Sequence, residues 1–358
     1  MLAANKLGGV LVSSQPNFSW LTAGGTNGVD LSREAGNGTL LIRNDGKRFV
    51  LANRIEMPRL LGEEIAGEDF EPVEFPWEQE KVSPEFLPAL ALTLLGKDKT
   101  LASDSGPGPG TVTFESAIAR CRYQLTSSEV ERFRSLASDA AQAVGNLARK
   151  LTPGETEREV ARRVADALAT HNIRAVVNLV AADERIGKYR HPVPTDLRWN
   201  KTIMIVVCAQ RGGLIASLTR IISSAAIPDE LRRRTLVAAQ VNAQLLAATQ
   251  PNASGADLYR LAARTYAEAG FANEERLHHQ GGAAGYRPRD WVAHPGCTER
   301  VQVNQAFAWN PSVTGTKVEE TCIALADGLE VVTRTSAWPQ IPVSVAEREY
   351  LSPDILML

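Results

Sequence analysis

Ile203-Met-Ile-Val-Val-Cys-Ala209 and Leu214-Ile-Ala-Ser-Leu-Thr-Arg-Ile-Ile222 decide the fold. The first is apolar and β-branched, and both have strand length, so they read as a pair of buried strands. Val176–Ala181 is a third such run. Working outward, helices flank the strands on both sides. Ser128 and Glu131 have capping-box spacing and open a long helix to about residue 150, and Thr156 and Glu159 repeat the device for a helix to about 171. Pro228 suits the first turn of a helix running to about 248. Ser254 and Asp257 open another that stops at Gly270, a C-terminal cap. Beyond it Val301–Val303, Ala306–Trp309, Thr316–Ala324 and Leu329–Thr333 are strand-like. Helix pair, strand pair, helix pair and several strands make an α+β domain whose antiparallel sheet is covered by helices.

The first third follows a different grammar. Gly9–Ser14 reads as a strand and Gln15-Pro16-Asn17 as a turn. Thr39–Arg43 and Arg48–Ala52 flank Asn44-Asp-Gly-Lys47, a hairpin signature. A helix over 54–67, a strand over 71–74, a helix over 84–94 and a strand over 100–104 complete an α/β unit. Ser105-Gly-Pro-Gly-Pro-Gly110 is a stiff connector that closes it. The expected domains are 1–120 and 121–358, as a chain of 358 residues exceeds the usual single core.

Composition excludes several classes. With 44% hydrophobic and 22% charged residues the chain is ordinary globular protein. A net charge of -2 and the lack of a dense basic block argue against nucleic acid. Arg232-Arg233-Arg234 lies in a helical segment and reads as a solvated face. The four cysteines, Cys121, Cys208, Cys297 and Cys322, form no CxxC pair, so neither a zinc knuckle nor a disulfide framework is expected. No signal sequence and no apolar run of roughly 20 residues is seen, which predicts a soluble, cytoplasmic protein off the membrane.

One stretch is chemically dense: His278-His-Gln-Gly-Gly-Ala-Ala-Gly-Tyr-Arg287. Gly281, Gly282 and Gly285 allow close backbone approach to a ligand. His278, His279, Gln280 and Arg287 supply donors and acceptors. The run is either a site or a glycine-rich turn that carries histidines.

The second domain resembles the pita-bread fold of the creatinase, prolidase, aminopeptidase P and methionine aminopeptidase family. The resemblance rests on Ile203–Cys208, Ser217-Leu-Thr-Arg220, His278–Gly285, Phe307-Ala-Trp-Asn-Pro311, Gly315-Thr-Lys-Val-Glu-Glu-Thr321 and Ala326-Asp-Gly328. The first domain, with Asn17-Phe-Ser-Trp-Leu-Thr-Ala-Gly24, resembles the creatinase-type N-terminal domain. The family's metallopeptidases hold two divalent cations with two aspartates, a histidine and two glutamates. The resemblance places those positions at Val206, Ser217, Gly282, Asn310 and Glu319, so only the last keeps a carboxylate. Oxygen-rich sites draw their affinity from several carboxylates, and no metal or other cofactor is expected. Creatinase itself hydrolyses a guanidino compound with a histidine. Lys188-Tyr-Arg-His191-Pro-Val-Pro-Thr195 is similar to its histidine loop, which makes His191 the candidate acid/base. The two glutamates that orient creatine match Thr219 and Asn310, so creatine itself is not the expected substrate.

Three functions stay open. The first is a metal-independent, creatinase-like hydrolase acting on a C–N bond of a small, carboxylate-bearing, amino-acid-like molecule. His191, His278, His279 and Glu319 would be catalytic, and Gln280, Gly281, Gly282, Arg220, Arg287 and Asn310 would bind substrate, with Arg190 a further cation. Arginine would grip the carboxylate, and N–H groups of Gly281–Gly285 would stabilise an oxyanion. Cys208 is an outside nucleophile or inert packing. The second is a non-catalytic ligand- or partner-binding member. The third is an Xaa-Pro metallopeptidase whose ligands lie among His278, His279, Glu319 and Glu320. The resemblance also implies a homodimer in which the first domain of one subunit nears the other's active site, with Trp20 and Arg33 in the Asn17–Arg33 segment as contacts.

Overall fold

The computed structural model describes residues 1–96, 100–105 and 110–358, so most of the connector expected at Ser105–Gly110 lies outside the described residues. The chain divides into two compact units, Met1–Arg122 and Tyr123–Leu358.

The first unit is a six-stranded sheet: β1 (Gly9–Ser14), β2 (Ala35–Arg43), β3 (Arg48–Asn53), β4 (Glu71–Phe75), β5 (Leu101–Ser103) and β6 (Thr111–Thr113), in the order β4-β3-β2-β1-β5-β6. Two apolar clusters form its core, one around Val10, Phe18, Leu40 and Val50, the other around Leu11, Leu41, Leu51 and Phe75. Gln15-Pro16-Asn17 is not a turn but the start of the helix Gln15–Leu21. Asp104, distant in sequence, accepts the Ser13 and Ser14 N–H groups at 2.8 and 3.0 Å and the Asn17 amide at 3.0 Å. Proline in the first turn then suits the helix. The helix expected over 54–67 is shorter: Met57–Arg59 continues as a π turn over Leu60–Glu64.

In the second unit β7 (Arg174–Ala182), β8 (Thr202–Arg211) and β9 (Leu214–Ser223) form an antiparallel meander, with β8 and β9 joined by a tight turn at Gly212-Gly213. All ten residues of β9 are buried. The helix Ser127–Ala148 packs on β8 and β9, and Glu157–Ala169 packs on β7. A second sheet follows from β10 (Gly281–Ala284), β11 (Trp291–Val292), β12 (Gln305–Trp309), β15 (Glu320–Leu325) and β16 (Gly328–Val331), with β13 (Ser312–Val313) and β14 (Thr316–Lys317) as a short hairpin. The two sheets meet along β9: Ile215 N–H donates to Gly285 O at 2.8 Å, Ser217 N–H to Thr321 Oγ1 at 2.8 Å, and Thr219 N–H to Glu319 O at 3.2 Å. The chain ends in a half-buried hairpin, β17 (Gln340–Val345) and β18 (Arg348–Pro353), and β19 (Leu356–Met357), which pairs parallel with β9.

Four expectations shift here. The first long helix is capped by Thr126 and Glu129, not Ser128 and Glu131, although Thr156 and Glu159 do form the second capping box. Thr126 is the residue with extended backbone, so its oxygen faces the orphan N–H groups, while Ser128 already lies inside the first turn. Val301–Val303 is no strand, because Val301 instead bonds Asn252 and Ala253 outside the sheet. Thr316–Ala324 is broken at Val318-Glu319 into β14 and β15. Ser254 precedes the helix Gly255–Glu268 without a side-chain cap. Among the described residues no helix is long and apolar enough to cross a membrane. Thr126→Ala should lower the stability of the second unit by about 1 kcal/mol in urea unfolding, whereas Ser128→Ala should change it by a few tenths.

Candidate functional site

The break between β14 and β15 puts Val318-Glu319 at the seam of the two sheets. Glu319 is 2% exposed and its carboxylate is fully engaged. Lys317 Nζ donates to Oε2 at 2.9 Å, Thr219 Oγ1 to Oε2 at 2.7 Å, and Arg289 Nη2 to Oε1 at 3.0 Å. Burial alone would push this carboxyl upward, but the Lys317 and Arg289 cations and the Thr219 hydroxyl hold it at about 2. Arg289 reaches further along the seam, its Nη1 lying 3.4 Å from Ser217 Oγ, while the Ser217 hydroxyl lies 3.3 Å from Cys208 Sγ. Burial raises the Cys208 thiol, which suits packing rather than attack.

Three imidazoles stand beside this cluster. His191 Nε2 and His278 Nε2 are 3.1 Å apart, so one carries the hydrogen and the other accepts it. His278 and His279 stack with ring centroids 4.5 Å apart. One nitrogen from each of the three rings lies within 4.8 Å of the others, a spacing that a single metal ion is able to bridge. Their surroundings favour the neutral rings. Burial and the Lys317 charge lower His278 to about 2, and burial and the Arg289 charge lower His279 to about 4. His191 keeps an exposed edge and is lowered by partial burial and Lys317. The Nδ1 atoms of His278 and His279 and the Nε of Arg289 are buried without a hydrogen-bond partner, as is Asn310 Oδ1. A narrow crevice opens alongside, lined by Ile186, Tyr189, Arg190, Met204, His278 and Lys317.

Several expected site residues have other duties. Arg220 is 1% exposed and turns away from Glu319. It pairs with Glu320 at 3.0 Å, donates to Thr335 Oγ1 and Thr333 O, and lies over the Trp338 ring. It is therefore a buried structural cation, not a gripping arm. Glu320 is likewise committed to Arg220 and Thr333, and burial pushes its carboxyl up. Gln280, 0% exposed, donates to His278 O and accepts from the Tyr266 hydroxyl at 2.7 Å, so it fixes the histidine backbone. Gly281–Ala284 is a strand between β11 and β12 rather than a free loop, and its backbone belongs to the ladder instead of an oxyanion hole. A Cβ on Gly282 would lie 2.1 Å from Trp291 O, and one on Gly281 2.1 Å from Ala308 O. Arg190 pairs with Glu274 at 2.6 Å. Arg287 is half-buried on the turn after β10, and the guanidinium that reaches Glu319 belongs to Arg289. Arg289 is the residue missed from the sequence: it lies just past the quoted 278–287 run, and no spacing rule marks a cation that folds back on a carboxylate. Lys317 lies within the quoted Gly315–Thr321 segment, two residues before the carboxylate it pairs with.

The model of metallopeptidase family M24 matches residues 131–332, more than half of the chain. The chain belongs to metallopeptidase family M24. Its architecture is the pita-bread fold of that family preceded by an N-terminal domain. Among solved structures it is similar to the prolidase of Pyrococcus horikoshii OT3, at 17% identity and a TM-score of 0.77, covering 94% of this chain and 96% of the other. An Xaa-Pro dipeptidase from Bacillus anthracis matches at 14% identity and a TM-score of 0.75, covering 100% and 97%. The N-terminal domain of the FACT complex subunit SPT16 from chickpea, Cicer arietinum, matches at 10% identity and a TM-score of 0.70, covering 93% and 92%. No curated protein matches the chain.

The M24 scaffold thus carries a buried ion pair on each side of β15's start. Arg220→Met should cost about 3–5 kcal/mol in urea unfolding, because Glu320 would be left as an uncompensated buried charge. Acid should act through Glu319. Its folded-state value lies below the 4.5 of an unfolded glutamate, so its contribution is complete above that pH and is lost as pH falls toward about 2. A urea-midpoint series from pH 5 to pH 2 should show wild type losing more stability than Glu319→Gln.

Proposed function

We propose that this M24 member is a metal-independent hydrolase that cleaves a C–N bond of a small, carboxylate-bearing substrate by histidine acid/base chemistry. The observation that carries the reading is the convergence of His191, His278 and His279 beside a carboxylate already neutralised by Lys317 and Arg289. The family's two-metal centre does not fit this donor set. Val206 and Gly282 offer no ligand atom, the Ser217 hydroxyl sits against Cys208, and the Glu319 oxygens accept from two cationic side chains and a threonine. Asn310 Oδ1 is the one unpartnered oxygen left.

The base is His191. Its lowered basicity leaves the ring neutral at pH 7, and its exposed edge faces the water it must activate. A proton taken from water at Nδ1 leaves the Nε2 hydrogen donating to His278 Nε2, which stabilises the imidazolium. The hydroxide adds to the substrate carbon, and the same proton then passes to the leaving nitrogen as the C–N bond breaks. Buried His278 and His279 stay neutral and serve as hydrogen-bond partners. By family analogy, a second copy would bring the Asn17–Arg33 segment, with Trp20 and Arg33, toward this site.

A second reading, a binding member without turnover, draws on the full engagement of Glu319 and on the likeness to the SPT16 domain. The two are separated by assaying chelator-treated protein against N-acyl amino acids, guanidino acids and Xaa-Pro dipeptides. The expected outcome is turnover that survives chelation, falls about 10²–10⁴-fold in His191→Ala, and holds down to pH 6.5 before dropping at lower pH, because the His191 value lies below the ordinary imidazole 6.5. No turnover across the panel favours the binding reading, and activity that appears only with added manganese overturns metal independence.

A further inference from the structure

We propose that Arg289 and Lys317 are resident cations standing where the family's metal pair would stand, and that the positive charge they leave over is completed by an anionic group of the ligand. Such binding rests on the donor set of the proposed function and needs no turnover. Five positions define the metal-binding place by resemblance, and the structure gathers them along β8, β9, β10, the end of β12 and the β14–β15 break. Into that place reach two further side chains, Arg289 from the turn after β10 and Lys317 from β14. The Arg289 guanidinium bridges Ser217 and Glu319, two of the five, at 3.4 and 3.0 Å, and the Lys317 ammonium covers the other oxygen of Glu319 at 2.9 Å. A guanidinium and an ammonium thereby supply the counter-charge that a divalent ion would otherwise supply.

The balance is not closed. The charged groups that weigh most on the three imidazoles are Lys317, Arg289 and Glu319, two cations against one anion. Lys317 is 7% exposed and Glu319 2%. A buried surplus charge is costly unless it is paired. The same locality holds unused polar atoms: Arg289 Nε–H is buried and unpartnered, His278 Nδ1 carries its hydrogen when Nε2 accepts from His191, and His279 Nδ1 is likewise unpartnered. Unspent N–H groups around a net positive charge fit a carboxylate and repel a metal ion, even though the three imidazole nitrogens are close enough to chelate one.

The test uses the full chain stripped with chelator. Calorimetric titration with Mn²⁺ and with Zn²⁺ should show no binding at micromolar concentration. Acetate, compared with chloride at equal ionic strength, should raise the melting temperature and move the imidazole resonances of His278 and His279 in long-range ¹H–¹⁵N spectra. Arg289→Met should weaken acetate binding at least tenfold, and Lys317→Arg should retain most of it. If Arg289→Met fails to fold, the wild-type metal and acetate titrations still decide. One tight equivalent of either metal that moves the same imidazole resonances overturns the inference, as does acetate binding unchanged in a folded Arg289→Met. An acetate response without turnover on any substrate supports this inference while ending the hydrolase reading. Turnover in the absence of both metal and acetate binding does the reverse.

Discussion

The contact on which the second unit's chemistry turns is a buried carboxylate held by two cations. Glu319 stands at a break between two short strands, where neither backbone neighbour is available to satisfy it. Thr219 from β9, Lys317 from the preceding strand and Arg289 from the turn after β10 all reach it. These three partners tie the meander β7–β9 to the second sheet. The electrostatics of the site follow from that tie. The cations that lock the carboxylate also keep the nearby imidazoles neutral.

A second pair, Arg220 with Glu320, sits on the other face of the same strands. Adjacent residues point to opposite sides of a strand, so Glu319 and Glu320 serve different ends although they are neighbours in sequence. One faces the histidines and the seam. The other faces Thr333, Thr335 and Trp338 and is purely architectural. The division explains why an arginine with five strands between it and Glu320 in sequence is buried so completely.

Much of this was legible in the sequence. The meander showed itself through unbroken apolar runs, and the helices through start and stop signals, of which Thr156 and Glu159 form the capping box expected, because those signals are local. His278 and His279 stood out as paired imidazoles in a glycine-rich run and His191 through the resemblance of its loop to that of creatinase, and the structure brings the three rings together. What failed was direction. The same run Ser217-Leu-Thr-Arg220 places Thr219 toward Glu319 and Arg220 away from it, and only strand register decides which. Gly281–Ala284 reads as a loop because glycine carries no strand propensity, yet close approach of β11 and β12 requires glycine there. Thr126 beat Ser128 as a cap by two residues, a difference set by where the backbone turns extended. Arg289 lay just past the stretch that drew attention, and its role depends on a partner 30 residues away.

The crowding at Gly282 has a consequence for engineering. The carbonyl of Trp291 fills the space that any side chain there would need. A histidine placed at this position alone would meet a steric collision before it met a metal ion, so a designed site would first have to draw β11 away from the glycine backbone.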